Sequence, residues 1–303
     1  MVSVEQYRER YAEEIHSRWP ELYEEIRNYR DIFSEDIVVA VDEEEGIVGA
    51  GYLYAGTTFG CIERELPYCH VQAEFKVDTD AECAGEAVEC LVEDLKERFR
   101  RVAGRYPEKR LILRIWCPYD HLIFMEYLMD MEFRAGRLMS VMRYELCDFE
   151  EDDEEESSGS FVEELDIGNP DVMQEYLRAN EKAFGIPDSA SLLLYQRSHR
   201  KAKVYAVRVQ GEIAACVTTW EISSARAATE NIFCIPEYQG QGLGTAIICH
   251  VLNKLKNMGY EEAELTVFGD NIGAAGLYLS LGYYLEHNLV SMEYEPDYEP
   301  LPF

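Results

Sequence analysis

One stretch constrains this chain more than any other, because it joins a buried strand to a glycine-rich helix start. Residues 232–245 read Ile-Phe-Cys-Ile-Pro-Glu-Tyr-Gln-Gly-Gln-Gly-Leu-Gly-Thr, and an apolar-faced helix is predicted from Ala246 to about Asn257. The first N–H groups of a helix have no intrahelical acceptor, and the helix dipole places partial positive charge there. Glycines let the backbone approach an anion closely. We therefore expect this segment to hold a phosphate or pyrophosphate.

The spacing of the glycines decides between phosphate ligands. A dinucleotide fingerprint, G-x-G-x-x-G/A, fails because Thr245 or Ile247 stands at its last position. A nucleotide P-loop fails because no Lys follows any of these glycines. What remains is Gln239-x-x-Gly242-x-Gly244 directly after a strand, which resembles the acyl-CoA pyrophosphate loop of the GNAT superfamily of N-acetyltransferases. A glycine-rich turn that binds no ligand is the alternative.

The segment downstream strengthens this resemblance. A strand is predicted at 264–268, then a Gly-Asp-Asn turn, then a helix at 274–281 that ends at a glycine. GNAT proteins commonly show a strand, an Asn, a Tyr seven residues later and then Leu-Gly-(Phe/Tyr). Asn271, Tyr278 and the Leu-Gly-Tyr at 281–283 fill these places. The resemblance implies that Asn271 bonds the pantetheine arm and that Tyr278 protonates the departing CoA thiolate.

By the same resemblance, the reaction is direct acetyl transfer from acetyl-CoA to an amine. The amine must attack as the free base, so a group must accept its proton. Glu230 is the candidate for this base, since burial in a cleft would raise the pKa of its carboxyl; a plain solvent-facing strand residue is the alternative. The catalytic prediction is thus Tyr278 and Glu230. The predicted cofactor-binding residues are Ile232, Phe233, Cys234, Gln239, Gly240, Gln241, Gly242, Leu243, Gly244, Thr245 and Asn271.

Composition limits the partners of the chain. The formal net charge is −31, whereas a nucleic-acid binder needs a basic face, so nucleic acid is not expected. The acidity would attract cationic amines, but a solvated acidic surface that carries no information about the substrate is the favoured explanation. No apolar run reaches the length of a membrane span. The expected partner is therefore a small-molecule or peptide amine, with no membrane partner and a homodimer left open.

Cysteine and histidine usage argue for a cytoplasmic protein without a metal. The nine cysteines show no C-x-x-C spacing, which is typical of free thiols in a reducing compartment. The six histidines also lack ligand spacing, so no metal is predicted. The N-terminus has no basic region followed by an apolar block, which argues against secretion.

Two halves of similar pattern are predicted. The acidic stretch 148–160 is predicted to link a domain at 1–147 to one at 161–303. Helix is predicted over roughly 4–32 in the first half, and over 170–184, with Asn169 as N-cap, and about 189–200 in the second. Tyr-Leu and Leu-x-Ser pairs recur near the ends of both halves, which indicates tandem domains. The predicted fold class is α/β (α+β): two tandem GNAT folds, each a mixed, mostly antiparallel sheet flanked by helices. Mycothiol synthase is a family of similar length and layout, although no residue indicates that this chain makes mycothiol.

The functional positions of the first half have drifted. The glycine loop is replaced by Glu82-x-x-Gly85-x-Ala87, which places carboxylates where pyrophosphate oxygens would sit. Two like charges at about 4 Å cost about 4 kcal/mol at an effective dielectric constant near 20. Asp120 stands in the place of Asn271, with Tyr127 seven residues on. We expect the first half to bind no CoA. For the whole chain, the alternative to an N-acetyltransferase is a catalytically inactive CoA-binding regulatory protein.

Overall fold

The computed structural model describes residues 1–28, 32, 34–54, 69–107, 109–149, 162–185 and 199–296. The predicted linker at 148–160 and the predicted helix at 189–200 fall largely outside these residues. Two compact units are present: Arg137–Leu289 form unit 2, and Met1–Gly136 with Val290–Phe303 form unit 1. The boundaries of these units fall within two strands. The predicted domains at 1–147 and 161–303 follow the sequence repeat instead and stay a prediction.

Unit 1 is built on a sheet with strand order β1-β2-β3-β4-β5. All neighbours are antiparallel except β4 and β5, which run parallel. Helices α1 and α2 lie before β2, α3 connects β4 to β5, and α4 follows β5. The elements are β1 Val2–Gln6, α1 Ala12–Arg18, α2 Pro20–Asn28, β2 Ile37–Asp42, β3 Gly46–Tyr54, β4 Cys69–Val77, α3 Ala84–Arg105, β5 Leu111–Pro118 and α4 Leu122–Asp130.

The start of the chain differs from the prediction of helix from Val4 to Ile32. Val2–Gln6 form a strand that pairs antiparallel with β2, with Val2 opposite Asp42. Val2 is buried, while the side chain of Ser3 is exposed. The pairing partner lies far along the chain, so the local helix-like pattern of the following residues was misleading for this segment.

Unit 2 is built on a sheet with strand order β6-β11-β10-β9-β8-β7. The pair β10–β11 is parallel, and the other neighbours with a recorded register are antiparallel. The elements are β6 Arg134–Glu145, β7 Val162–Glu164, α5 Pro170–Phe184, β8 Lys203–Val209, β9 Glu212–Glu221, β10 Arg226–Cys234, α6 Leu243–Asn257, β11 Glu262–Phe268, α7 Ile272–Leu281 and β12 Tyr284–Tyr294.

Helix α6 packs on one face of the unit 2 sheet because its apolar residues recur at the helical period. Its buried residues are Leu243, Ile247, Ile248, Val251, Leu252 and Leu255. Strand β11 alternates, so Ala263, Leu265 and Val267 join the same cluster of buried residues as α6. The opposite face carries a second cluster, in which Tyr176 of α5 packs with Cys216, Phe233 and Ile235. The sheet of unit 2 is thus covered on both faces.

Helix α5 forms where local signals predict it. Asn169 is its N-cap, with a side-chain oxygen that accepts from Asp171 N–H at 3.0 Å, and Pro170 occupies the first turn. Gly185, at φ +69°, ends the helix in the left-handed conformation. Tyr176 on its buried face lies edge to face with the Phe233 ring at 5.8 Å. The helix is thereby held over the end of β10.

Candidate active site

The loop before α6 adopts a backbone that requires glycine. Gly240 has φ +74° and Gly242 has φ +80°, a region that residues with a Cβ rarely enter. Gly242 is the N-cap of α6, and it has no side chain to satisfy the N–H groups of the first turn. These two glycines therefore set the path of the chain into the helix.

The N–H groups at the start of α6 remain available. Among the described residues, the backbone N–H groups of 241–245 have no recorded acceptor, whereas that of Ala246 donates to Gly242 O at 3.0 Å. The first turn carries no acidic side chain. The fifteen-residue helix adds its positive dipole end at this point. The geometry suits a diphosphate, as the loop Gln239–Thr245 predicts.

Two glutamines brace this loop. Gln239 donates its Nε2 to Cys234 O at 3.0 Å, and Gln241 donates its Nε2 to Glu237 O at 3.4 Å. Both bonds run back to residues that precede the loop: Cys234 is the last residue of β10, and Glu237 follows the strand. Their side-chain amides thus hold the loop shape, and direct contact of Gln239 and Gln241 with a ligand stays a prediction.

Strands β10 and β11 part beside this loop. They pair only from Arg226 opposite Glu262 to Ala228 opposite Glu264. Beyond this point the carboxylate of Glu230 bridges the two strands, and its Oε1 accepts from Thr266 N–H at 2.8 Å and from Thr266 Oγ1 at 2.9 Å. A gap thus opens toward the carboxyl ends of the two parallel strands.

The register of β10 decides which of its N–H groups face this gap. Ile235 N–H donates to Ala214 O at 2.9 Å, which places Ile235 and, two residues before it, Phe233 on the β9 side. The N–H and the carbonyl of one strand residue point to the same side. The carbonyl of Cys234 accepts from Gln239, away from β9, so the N–H of Cys234 also points away from β9. Of the predicted residues Ile232, Phe233 and Cys234, this register places the N–H groups of Ile232 and Cys234 on the side of the gap, while Phe233 pairs with β9 and packs in the buried cluster under α5. Contact of any of the three with a cofactor stays a prediction.

Glu230 has the properties expected of a base. Its side chain is half-buried, and burial raises the pKa of its carboxyl from 4.5 to about 7. The hydrogen bonds from Thr266 lower this pKa, and the nearby carboxylate of Glu264 raises it. Desolvation is the largest of these effects on the pKa, so Glu230 exchanges a proton near neutral pH.

Tyr278 approaches the gap from the other face. It lies on α7, is 6% exposed, and packs in the same cluster as α6, with its ring 5.9 Å from that of Tyr283. Burial, and next the charge of Glu230, raises the pKa of its hydroxyl, so Tyr278 stays protonated at neutral pH. The charge of Glu230 acts on the Tyr278 hydroxyl, so the two side chains lie within electrostatic reach of each other, and their roles as base and acid stay a prediction.

The ends of α7 hold Tyr278 in place. Asn271 is the N-cap, with a side-chain oxygen that accepts from Ala274 N–H at 3.3 Å. Gly282 ends the helix at φ +103°, where a Cβ would lie 3.0 Å from the Tyr144 ring. The oxygen of Asn271 thus accepts one bond from the helix, and the predicted pantetheine contact can use its amide nitrogen or the second lone pair of this oxygen.

The corresponding place in unit 1 is different. Gly85 lies within the first turn of α3 and does not have a positive φ. Glu86 is engaged by the start of the chain, since its Oε1 accepts from Val2 N–H at 3.1 Å. Tyr127 on α4 retains a buried hydroxyl without a partner in the described part of the chain, and burial raises its pKa to about 12.

Two residues of this region were missed by the sequence analysis. Thr266 lies on the same face of β11 as Glu264, and this alternation was its only signal. Thr218 is the cross-strand partner of Glu230 on β9, and nothing local to its sequence marks it. Both contacts arise from strand pairing.

Other features of the chain have no connection with this site. Asp42, Glu45 and Cys83 bring possible metal ligands within 4.8 Å of one another, but Asp42 already binds the Met1 ammonium at 2.8 Å. The described cysteines are free thiols: Cys83, Cys90, Cys117, Cys147, Cys216, Cys234 and Cys249. Within the described ranges, every helix is too short or too polar to cross a bilayer.

Unit 2 is thus a mixed sheet in which the parallel strands β10 and β11 separate beside a glycine-rich helix start. Residues 169–283 match the model of the acetyltransferase (GNAT) family. The [ribosomal protein bS18]-alanine N-acetyltransferase of Escherichia coli (strain K12) is 37% identical over 73 residues, which are 24% of this chain and 49% of that enzyme. The chain thus matches about half the length of this curated relative.

Solved structures extend the likeness of fold to nearly the whole chain. A GCN5-related N-acetyltransferase from Sphaerobacter thermophilus has a TM-score of 0.73 at 16% identity, over 97% of this chain and 95% of that one. A tandem GNAT protein from the clavulanic acid biosynthesis pathway has a TM-score of 0.64 at 14% identity, over 92% and 88%. The predicted GNAT fold class is confirmed. The predicted likeness to mycothiol synthase is not tested by these neighbours.

Proposed function

We propose that this protein is an N-acetyltransferase that moves an acetyl group from acetyl-CoA directly to a primary amine of a small molecule or peptide. The observation that carries the proposal is the gap between β10 and β11, which leads to the unpaired N–H groups at the start of α6. The diphosphate of CoA would bind there, and the pantetheine arm would lie along Ile232 and Cys234. The thioester would then lie between Glu230 and Tyr278.

The protein groups account for each proton in the transfer. The amine nitrogen forms a bond to the thioester carbonyl carbon, and the C–S bond breaks. Glu230 accepts the proton that the amine loses, since the pKa of its carboxyl near 7 leaves a large ionised fraction at neutral pH. Tyr278 donates a proton to the departing thiolate, and exchange with solvent restores both residues.

The N–H of Cys234, which the register of β10 turns toward the gap, would also polarise the thioester carbonyl. A backbone donor aimed at the developing negative charge lowers the barrier because it needs no reorganisation during the reaction. The carbonyl of Cys234 is held by Gln239 at 3.0 Å, so this peptide group is fixed before substrate arrives. The hydrogen bond from Gln239 thereby links the glycine-rich loop to Cys234, whose N–H is the proposed donor to the thioester oxygen.

The acceptor is defined by class only. The E. coli relative is named for acetylating an alanine of a ribosomal protein, which supports a peptide amine among the acceptors. The absence of a positive φ at Gly85 and the occupied Glu86 support the proposal that unit 1 binds no CoA and has a structural role. A cytoplasmic location and a homodimer remain part of the proposal.

Thermal shift and thiol release together test this function. Acetyl-CoA at millimolar concentration should raise the Tm, because a ligand that binds only the folded state stabilises it. Release of CoA thiol should then depend on an added amine; n-butylamine, spermidine and a tetrapeptide with an N-terminal alanine form the panel. A Tm shift without amine-dependent thiol release favours the inactive CoA-binding regulator, and no Tm shift rejects both functions.

A further inference from the structure

Thr218 in the middle of β9 carries a hydroxyl that the folded protein leaves unsatisfied. The residue is 0% exposed, and its Oγ1 has no hydrogen-bond partner in the described part of the chain. A buried hydroxyl without a partner destabilises the folded state, because it has lost its bonds to water and gained none in exchange. Folded proteins pair nearly all such groups, so this unpaired hydroxyl calls for an explanation, and what separates it from the unpaired hydroxyl of Tyr127 is its place opposite Glu230.

The position of Thr218 links it to Glu230. The two residues are directly opposite each other in the β9–β10 pair, ahead of the irregularity between Glu230 and Phe233. Opposed residues share a face of the sheet, with Cβ atoms about 4.5–5.5 Å apart. Thr218 therefore lies beside the carboxylate of Glu230 on the face that also carries Cys216 and α5.

This face is the one from which an acceptor would enter. Helix α6, with its anion-binding start, and Tyr278 of α7 pack on the opposite face. A thioester that reaches through the gap from the α6 side is met by the acceptor on the side of Glu230. Thr266 donates both of its bonds to Oε1 of Glu230, so Oε2 takes no bond from Thr266.

We propose that Thr218 Oγ1 orients the acceptor amine, an inference that rests on the proposed transferase function. A neutral primary amine has two N–H donors and one lone pair. One N–H donates to the Glu230 carboxylate and the other to Thr218 Oγ1, which turns the lone pair toward the thioester carbonyl. Because Thr218 is 0% exposed in the free protein, the side chains over it must move aside before its hydroxyl gains this partner from the substrate.

The arrangement selects a primary over a secondary amine. An N-methyl amine has only one N–H once deprotonated, so it leaves Thr218 Oγ1 unpaired and brings a methyl group against it. Sites that hydrogen-bond a substrate N–H discriminate strongly against analogues that lack it. Thr218 is therefore a determinant of acceptor class.

The test is Thr218→Val, with Thr219→Val as its matched control. Thr219 is the next residue of the same strand and is also buried, 3% exposed, but its side chain lies on the other face of the sheet. The probes are the panel amine that wild type acetylates fastest and its N-methyl derivative. Thr218→Val should lower kcat/KM for the primary amine about tenfold or more and for the N-methyl amine less than about twofold. Thr219→Val should leave the ratio of the two values unchanged.

Stability supplies a second readout. Because valine removes a buried hydroxyl that has no partner, Thr218→Val should keep or raise the Tm, whereas a structural role of the hydroxyl would lower it. An unchanged amine preference, or a clear fall in Tm, overturns the role of Thr218 while acetyl-CoA-dependent activity of the wild type still supports the transferase. If wild type neither binds acetyl-CoA nor releases thiol, the transferase function is wrong, and the proposed role of Thr218 fails with it.

Discussion

Thr266 holds Glu230 by two hydrogen bonds to a single carboxylate oxygen, one from its backbone N–H at 2.8 Å and one from its hydroxyl at 2.9 Å. The two residues lie on parallel strands that have already separated, so the carboxylate replaces the missing backbone pairing. Both bonds favour the ionised form of Glu230, while burial favours the protonated form. The pKa of Glu230 is thus set by its position where β10 and β11 separate, because that position both buries the carboxylate and places Thr266 against it.

Glu230→Gln should remove the base and keep the bridge, because the amide oxygen of glutamine can still accept from Thr266. We expect kcat/KM for the amine to fall about 100-fold or more, with little change in acetyl-CoA affinity. The matched control is Glu262→Gln. Glu262 is an acid on β11 that shares a face with Thr266 and lies at the far end of the parallel pairing, opposite Arg226. Equal losses in both variants would contradict the assignment of Glu230 as base.

The same variant should change stability with a definite sign. The folded-state pKa of Glu230 is raised from 4.5 to about 7, so its contribution is fully present below about pH 4.5 and is lost as pH rises through about 7. Above pH 7 the wild type holds a desolvated charge that Glu230→Gln lacks. The variant should therefore have the higher Tm at pH 8, and this advantage should shrink toward pH 5. If the Tm of Glu230→Gln instead exceeds that of the wild type by more at low pH, burial does not set the pKa of Glu230.

Thr266→Val should move the pH profile of the reaction. The wild-type kcat/KM should rise through about pH 7 as Glu230 loses its proton. Loss of the Thr266 hydroxyl removes a bond that lowers the pKa, so the rise should shift to higher pH, and Thr266→Ser should restore it. A fall in rate with no shift of the profile would assign Thr266 a purely structural role.

Tyr278→Phe should lower kcat tenfold or more while acetyl-CoA affinity changes little, because only the proton donor is removed. The matched control is Tyr127→Phe, the tyrosine of the first half that stands seven residues after Asp120. Its hydroxyl is buried without a partner in the described residues, so its removal should leave kcat unchanged and the Tm equal or higher. Steady-state kinetics with varied acetyl-CoA separate the two effects, and an unchanged kcat in Tyr278→Phe removes it from the acid role.

Gly242→Glu and Gly85→Glu should differ in CoA binding. A carboxylate at φ +80° before α6 strains the loop and repels the diphosphate, so acetyl-CoA should no longer raise the Tm. Gly85 is exposed in the first turn of α3, and a Cβ there meets no atom within 4 Å. We expect Gly85→Glu to bind acetyl-CoA as wild type does. Equal loss in both variants would show that unit 1 also takes part in cofactor binding.

Local sequence determined several helices and the glycine-rich loop of this protein. Helix α5 was predicted at its observed bounds because Asn169, Pro170 and Gly185 act within a few residues of the helix. The glycine spacing before α6 likewise indicated a helix start, but the helix begins at Leu243, three residues before the predicted Ala246, because Gly242 at φ +80° is its N-cap. The first strand was missed because its pairing partner, β2, lies more than thirty residues away.

Tertiary structure decided what this site can do. The raised pKa of Glu230 depends on burial between strands whose contact residues, Glu230 and Thr266, are 36 positions apart. Which N–H groups of β10 face the gap follows from one bond to Ala214, and the unpaired hydroxyl of Thr218 follows from the register of β9. Desolvation and strand register are properties of packed neighbours, and a residue's own sequence context does not specify them.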